Sequence, residues 1–112
     1  MRDDIAYLRH ILDAIARIES YSSGGRGAFL AQPLIQDAIL RNLEVIGEAV
    51  KGLSPAVRSE TPEVPWTQIA GMRDVLIHEY FGVNLETVWN AVERRIPELR
   101  AAAERLVAQR QP

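Results

Sequence analysis

Apolar residues in this chain recur at spacings of three and four, and nowhere do they alternate with polar residues along a strand-length segment. Such spacing places side chains on one face of an α-helix, so each of these segments predicts an amphipathic helix. The first runs from Asp3 to about Tyr21, with apolar positions at Ile5, Leu8, Leu12, Ile15 and Ile18. With no alternating segment, the pattern predicts an all-α protein.

A second helix is predicted from about Gln32 to Leu53, where the apolar positions are Ile35, Ile39, Leu43, Ile46, Val50 and Leu53. The segment before it, residues 22–29 (SSGGRGAF), is rich in Gly and Ser and predicts a loop or turn. After it, Ser54 as N-cap and Pro55 as first helical residue predict a short helix that ends before Pro62.

The third long helix is predicted to start near Trp66, continue through Glu79 or Tyr80, and break around Gly82. Asn84 is a plausible N-cap for a last helix over residues 85–109, and Pro97 inside it predicts a kink. The prediction is one domain over residues 1–112, an antiparallel bundle of about four long helices plus a short one.

Composition limits the classes of function. The chain has no cysteine, and its two histidines, His10 and His78, lie far apart, so we expect no metal site. His10 is expected to be a solvated or partly packed residue and not a catalytic one. A net charge of -2 argues against nonspecific coating of nucleic acid. No apolar run approaches the ~20 residues of a membrane span, and no signal peptide is evident, so a cytoplasmic protein without membrane contact is expected.

Polar residues interrupt the apolar pattern of the third helix in the segment GMRDVLIHEYFGV, residues 71–83. At about 100° per residue, Arg73 and His78 point about 140° apart, so an unwound helix end or a symmetric dimer is needed to bring them together. Asp74 and His78 share a face, which would let Asp74 accept a hydrogen bond from the imidazole. Arg73 and Tyr80, seven apart, share another face.

These residue types suit phosphodiester chemistry on RNA. Histidine transfers protons near neutral pH, either activating a ribose 2′-hydroxyl or protonating the leaving oxygen, and arginine neutralises charge on the phosphate. The alternative is that all of them are packing or solvated residues of an amphipathic helix. Their spacing alone does not decide between the two.

The spacing Arg73, four residues, His78, one residue, Tyr80 resembles the R-x4-H-x-Y motif of HepT-like members of the HEPN ribonuclease toxins. Three longer segments also look like parts of that family, in the same order. They are residues 41–54 (RNLEVIGEAVKGLS), residues 65–84 (PWTQIAGMRDVLIHEYFGVN) and residues 88–100 (VWNAVERRIPELR). The resemblance therefore covers nearly the whole chain.

The resemblance implies a HEPN-like helical bundle that cleaves RNA without a metal or other cofactor, as the toxin of a type VII (HepT/MntA-like) toxin–antitoxin system. It implies a homodimer with the active cleft between two motif helices and with Arg73 and His78 as the catalytic pair. Asp74 is added as a supporting residue by its helical spacing from His78, and it is a departure from the family. Many relatives carry asparagine at the position of Asp74. The implied partner is an MntA-type nucleotidyltransferase antitoxin that silences the toxin by attaching AMP to Tyr80.

Two other functions fit the same residues. A noncatalytic HEPN module would bind nucleotide or its nucleotidyltransferase partner, with the arginine holding a phosphate. A helical adaptor would bind no ligand, and alanine at Arg73, His78 and Tyr80 would then change only stability.

Overall fold

The computed structural model describes residues 3–110, and within this range the backbone forms helices and turns without any strand. The helices are α1 (Asp4–Tyr21), α2 (Gly25–Ala31), α3 (Pro33–Gly52), α4 (Pro55–Glu60), α5 (Trp66–His78), α6 (Leu85–Asn90) and α7 (Ile96–Arg110). A 3-10 turn, Tyr80–Gly82, follows α5, and a π-helical turn, Ala91–Arg95, joins α6 to α7. The predicted all-α bundle is confirmed. The prediction of one domain over residues 1–112 extends beyond the described residues at both ends.

Helix α3 lies at the centre of the bundle, as its long apolar stripe requires. It packs against α1 on one side and α5 on the other, and α1 also packs against α7. The fully buried side chains of this core come from α1, α2, α3, α4 and α7 and from the residue after α3; they include Leu8, Ile11, Ile15, Ile18, Phe29, Ile39, Ile46, Val50, Leu53, Val57 and Leu106. Helix α5 is therefore positioned chiefly by α3.

The predicted loop over residues 22–29 is wrong in its second half, because α2 begins at Gly25. Gly25 has φ of +88°, a conformation that glycine adopts without steric cost, and this allows the turn that starts α2. Phe29 is fully buried, and its ring lies 5.5 Å from that of Trp89. The side-chain amide of Gln36 donates to the carbonyls of Phe29 and Leu30 at the end of α2. Burial and capping thus outweigh the flexible composition.

Side chains cap the helix N-termini largely where the sequence predicts. Ser54 accepts a hydrogen bond from the amide of Val57, and Asn84 accepts from the amides of Glu86 and Thr87. Asp4 in turn accepts from both the amide and the hydroxyl of Ser54, at 2.8 and 2.7 Å. The start of α1 is thereby tied to the junction between α3 and α4.

Pro97 is accommodated by the π-helical turn that precedes it. The amide of Ile96 donates to the carbonyl of Ala91, five residues earlier, where an α-helix would use the residue four earlier. Proline removes one amide donor from the helical ladder, and π turns are a common site of local adjustment within α-helices. The sequence predicts a kink at Pro97, and the structure has a π turn over Ala91–Arg95 shortly before it.

Gly47 lets α5 approach α3 closely at the level of Arg73. A Cβ atom added at Gly47 would lie 2.8 Å from the Cβ of Arg73 and 3.1 Å from the carbonyl oxygen of Ile69. Real Cβ atoms do not approach so closely. The absence of a side chain at Gly47 therefore fixes the distance between the two helices where Arg73 leaves α5.

We expect Gly47→Ala to lower the free energy of unfolding by roughly 1–3 kcal/mol, because the added methyl group must push α5 away from α3. Urea unfolding followed by circular dichroism measures this. Gly27→Ala is the matched control: Gly27 lies within α2 with open space around it, so alanine there should stabilise by about 0.5–1 kcal/mol. Equal stability of the two variants would contradict the close packing at Gly47.

Candidate functional site

Arg73 and His78 both lie within α5, which is continuously helical from Trp66 to His78. Their side chains therefore leave the helix about 140° apart, as the regular geometry requires. Unwinding begins only after His78, so it does not bring the two side chains together. One copy of the chain leaves Arg73 and His78 on different sides of α5.

Arg73 is held by two carboxylates on its side of the helix. Its Nε forms an ion pair with Glu48 of α3, and its Nη1 donates to Asp74 at 3.1 Å. The side chain is 33% exposed, so Arg73 is partly buried and partly open to solvent. Glu48 thereby fixes the direction of the guanidinium group while leaving it accessible to a phosphate.

Asp74 pairs with cations rather than with the histidine. Its Oδ1 accepts from Lys51 at 3.2 Å and from Arg73 at 3.1 Å. No hydrogen bond joins Asp74 to His78 in the described residues, so the structure does not contain the predicted Asp74–imidazole contact. Lys51, followed by Arg73, lowers the pKa of Asp74 below its ordinary value, and the carboxylate is ionised at neutral pH. The charge of Asp74 is thus balanced by its neighbours.

His78 is the last residue of α5, and its side chain is exposed. Across residues 3–110, no side chain is hydrogen bonded or ion paired with the imidazole. Both ring nitrogens are therefore open to solvent and to a bound substrate. A histidine placed in this way can exchange a proton with a ligand without first breaking a contact within its own protomer.

Tyr80 lies in the 3-10 turn after α5, so the expectation that it shares a helical face with Arg73 is wrong. That expectation required α5 to continue through residue 80, but Glu79 leaves the helical conformation with φ of -126° and ψ of 33°. The Tyr80 hydroxyl donates to Asp37 of α3. This bond, with desolvation and the charges of Asp37 and Glu44, raises the pKa of Tyr80 to about 12, so the hydroxyl stays protonated at neutral pH.

An open apolar surface borders His78. Gly71, Val75 and His78 fall within about 60° on one face of α5, and all three are exposed. Val75 is 52% exposed, and a Cβ added at Gly71 would meet no atom within 4 Å. Phe81, three residues after His78, is fully exposed at 102%. We call Gly71, Val75, His78 and Phe81 the α5 face.

Sequence reasoning identified Arg73, Asp74, His78 and Tyr80 but assigned no role to Asp37 or Lys51. These two residues lie 43 and 23 positions away from the side chains they contact. No local spacing connects such distant positions, although Lys51 is the sole lysine of the chain. The packing of α3 against α5 decides both contacts.

Three other features of the described residues bear on the type of protein and of site. No group of three or more His, Asp or Glu side chains is arranged to hold a metal ion. A groove of about 560 Å³ between α3, α5 and α7 has mostly apolar walls, including Ile46, Ile69 and Leu99, and contains none of the motif residues. None of the described helices combines the length and the apolar character required to span a membrane.

Comparison with known proteins gives a consistent set of matches. Residues 11–106 match the family model described as Ribonuclease HepT-like. The chain is 41% identical over 111 residues to a "putative RNase" of Caldanaerobacter subterraneus subsp. tengcongensis, covering 96% of each protein. It is 41% identical over 101 residues to the "probable ribonuclease HepT" of Thermococcus cleftensis, covering 89% of this chain and 92% of that protein.

A longer protein of Methanocaldococcus jannaschii, described as "gamma-glutamylcyclotransferase and putative RNase", is 42% identical over 102 residues. This chain covers 46% of its length, so it matches one part of that protein. No solved structure gave a significant match.

Proposed function

Because this chain belongs to the HepT-like ribonuclease family, we propose that it is an endoribonuclease in which Arg73 and His78 form the catalytic pair. The observation that carries this proposal is the placement of the two residues on α5. The guanidinium group of Arg73 is directed by Glu48 yet reaches solvent, and the imidazole of His78 is open at the helix end. Both are accessible to a phosphodiester.

The proposed reaction uses the 2′-hydroxyl of the RNA as the nucleophile. An imidazole takes the hydroxyl proton or supplies a proton to the leaving 5′-oxygen, and the guanidinium group of Arg73 stabilises charge on the phosphoryl oxygens. The new bond joins the 2′-oxygen to phosphorus, and the bond from phosphorus to the 5′-oxygen breaks. The products are a 2′,3′-cyclic phosphate and a 5′-hydroxyl, and the reaction requires neither metal nor water.

Cleavage of single-stranded RNA by the purified protein tests this function. We expect products with 2′,3′-cyclic phosphate or the monoester formed when it opens, and full activity in excess chelator. RNA with a 2′-deoxy sugar at the cut site should resist, because its nucleophile is missing. Loss of cleavage in chelator would contradict the metal-independent mechanism, and cleavage of the 2′-deoxy substrate would contradict the nucleophile.

Two copies of the chain are proposed to form one active cleft. Arg73 and His78 diverge on a regular helix, so a single protomer does not direct both at one phosphate. The α5 face is apolar beside His78, and the lack of a side chain at Gly71 permits close approach of a second helix. A two-fold axis along this face would place the His78 of each protomer near the motif of the other.

We therefore expect a homodimer by light scattering at micromolar concentration, and Val75→Glu should convert it to a monomer because a charge would be buried in the α5 face. RNA cleavage should fall at least tenfold in the monomer. Ala101→Glu, at an exposed position of α7, is the control and should remain dimeric. A monomeric wild-type protein that cleaves RNA would contradict the shared cleft.

The family membership also leads to a proposed biological setting, the toxin of a toxin–antitoxin pair. In this setting, an MntA-type nucleotidyltransferase silences the protein by attaching AMP to Tyr80. The position of Tyr80 supports this role, because it lies two residues after His78 in a partly exposed turn. An attached AMP would bring a bulky group and a negative charge to the edge of the catalytic site. A nucleotidyltransferase gene next to this one would be the expected genomic arrangement.

A further inference from the structure

A second cleft, with several polar and charged residues in its walls, includes Arg73. It lies on the side of α5 away from the α5 face. It has a volume of about 480 Å³ and is walled by α1, α3 and α5. Helix α1 contributes Tyr7 and His10, and α5 contributes Arg73 and Ile77. The cleft therefore includes Arg73 of the proposed catalytic pair, whereas His78 lies on the opposite side of α5 and does not line it. Nothing in the catalytic proposal uses the α1 wall.

The Tyr7 side chain in the α1 wall packs closely against α3. A Cβ atom added at Gly52 would lie 2.5 Å from the Cε1 and Cζ atoms of Tyr7, so the Tyr7 ring rests directly on the backbone of α3. The rings of Tyr7 and His10 are 6.5 Å apart and inclined by 44°. In the described part of the chain, neither the Tyr7 hydroxyl nor the His10 imidazole is hydrogen bonded. The wall thus offers two rings with unused polar atoms, and the Tyr7 ring is held against α3.

The charges around this cleft balance one another. Arg41 is paired with Glu44 at 3.3 Å, Lys51 with Asp74 at 3.2 Å, and Arg73 with Glu48. Three cations therefore face three carboxylates, which does not favour a free anion. A flat, largely neutral ligand that stacks on aromatic rings and carries hydrogen-bonding groups at its edge suits the cleft better.

We propose that this cleft binds the base of the RNA nucleotide next to the cleaved phosphodiester, with Tyr7 and His10 as its stacking surface. The inference rests on the proposed function, since it takes Arg73 as the residue that contacts the phosphate. Single-stranded RNA is commonly recognised by bases that stack on aromatic side chains, including histidine. Stacking also accounts for RNA binding by a chain whose net charge is -2. Tyr7 and His10 are thus assigned to substrate binding, with no role in proton transfer.

Binding of a short fluorescent RNA to the His78→Ala protein, measured by anisotropy, tests the proposal without cleavage. Each nucleotide in turn is replaced by an abasic one. The RNA that is abasic next to the cut position should bind roughly 5- to 150-fold more weakly than the intact RNA, the usual contribution of one stacked base. Adding Tyr7→Ala should weaken binding of the intact RNA by a similar factor and remove the abasic effect. Tyr7→Phe keeps the ring and should retain most of the binding and the abasic effect, losing only what the hydroxyl contributes.

Tyr21→Ala is the matched control, because Tyr21 is also on α1 and is 40% exposed, against 38% for Tyr7, but lies outside the cleft. It should leave binding unchanged. The proposal is overturned if the abasic effect survives Tyr7→Ala, if no RNA binds, or if free AMP binds as tightly as the oligonucleotide. If the RNA binds and Tyr7→Ala removes the abasic effect, but the wild-type protein does not cleave the RNA, the proposed function is wrong and the base-binding site is retained.

Discussion

His78→Ala and Arg73→Ala should each lower RNA cleavage by roughly 10²-fold or more while the helical fold is retained. Loss of His78 removes the proposed proton-transfer group, for which 10²- to 10⁴-fold is typical. Loss of Arg73 removes a cation from the phosphate, an electrostatic contribution of about 10²- to 10³-fold. Initial rates on a defined oligonucleotide, with circular dichroism as the check on folding, measure both effects.

Arg73→Lys is the informative companion variant. Lysine preserves the charge but not the planar fork, which pairs with Glu48 through Nε and with Asp74 through Nη1 and leaves Nη2 for a phosphate, so activity should return only in part. Arg9→Ala removes an exposed arginine of α1 outside both clefts and serves as the control. If both alanine variants cut RNA at the parental rate, the catalytic assignment is wrong. If the parent protein does not cleave RNA, and the alanine variants bind nucleotide more weakly than the parent, the noncatalytic nucleotide-binding module is favoured.

Attachment of AMP to Tyr80 should abolish cleavage, and Tyr80→Phe should cut RNA while escaping this control. In the transfer, the Tyr80 oxygen bonds to the α-phosphorus of ATP and pyrophosphate leaves. The phenolic proton must be accepted by a base. Asp37 already accepts a hydrogen bond from this hydroxyl, which places its carboxylate at the required position. Incubation with the cognate nucleotidyltransferase and ATP, followed by intact-protein mass spectrometry and a cleavage assay, measures both parts.

Asp37→Asn tests the role of the Asp37 carboxylate in proton transfer while leaving Tyr80, the AMP acceptor, in place. The amide does not readily accept the proton, so modification of Tyr80 should slow markedly, although the pKa of the hydroxyl should fall towards its ordinary value. Tyr21→Phe is the control and should be modified and silenced like the parent. Modification of Tyr80→Phe to the parental extent would show that AMP is attached elsewhere.

The helices of this protein were largely predictable from local sequence. The spacing of apolar residues predicted α1, α3 and α5, and the caps at Ser54 and Asn84 predicted where two later helices begin. Helix α2 was missed, because its stability comes from the burial of Phe29 against Trp89 and from capping by Gln36. Those contacts join residues far enough apart in the chain that composition alone gives no sign of them.

The candidate site, like the helices, was predictable from the sequence only in part. The sequence by itself determined that Arg73, Asp74, His78 and Tyr80 fall on or beside one helix, because their spacing is fixed by the chain. Only the tertiary structure decided their partners. Gly47 lets α3 and α5 pack closely, so Arg73 meets Glu48, Asp74 meets Lys51 rather than His78, and Tyr80 meets Asp37. Helical periodicity is a local property, whereas these pairings depend on the distance and rotation between two helices, which side-chain packing sets.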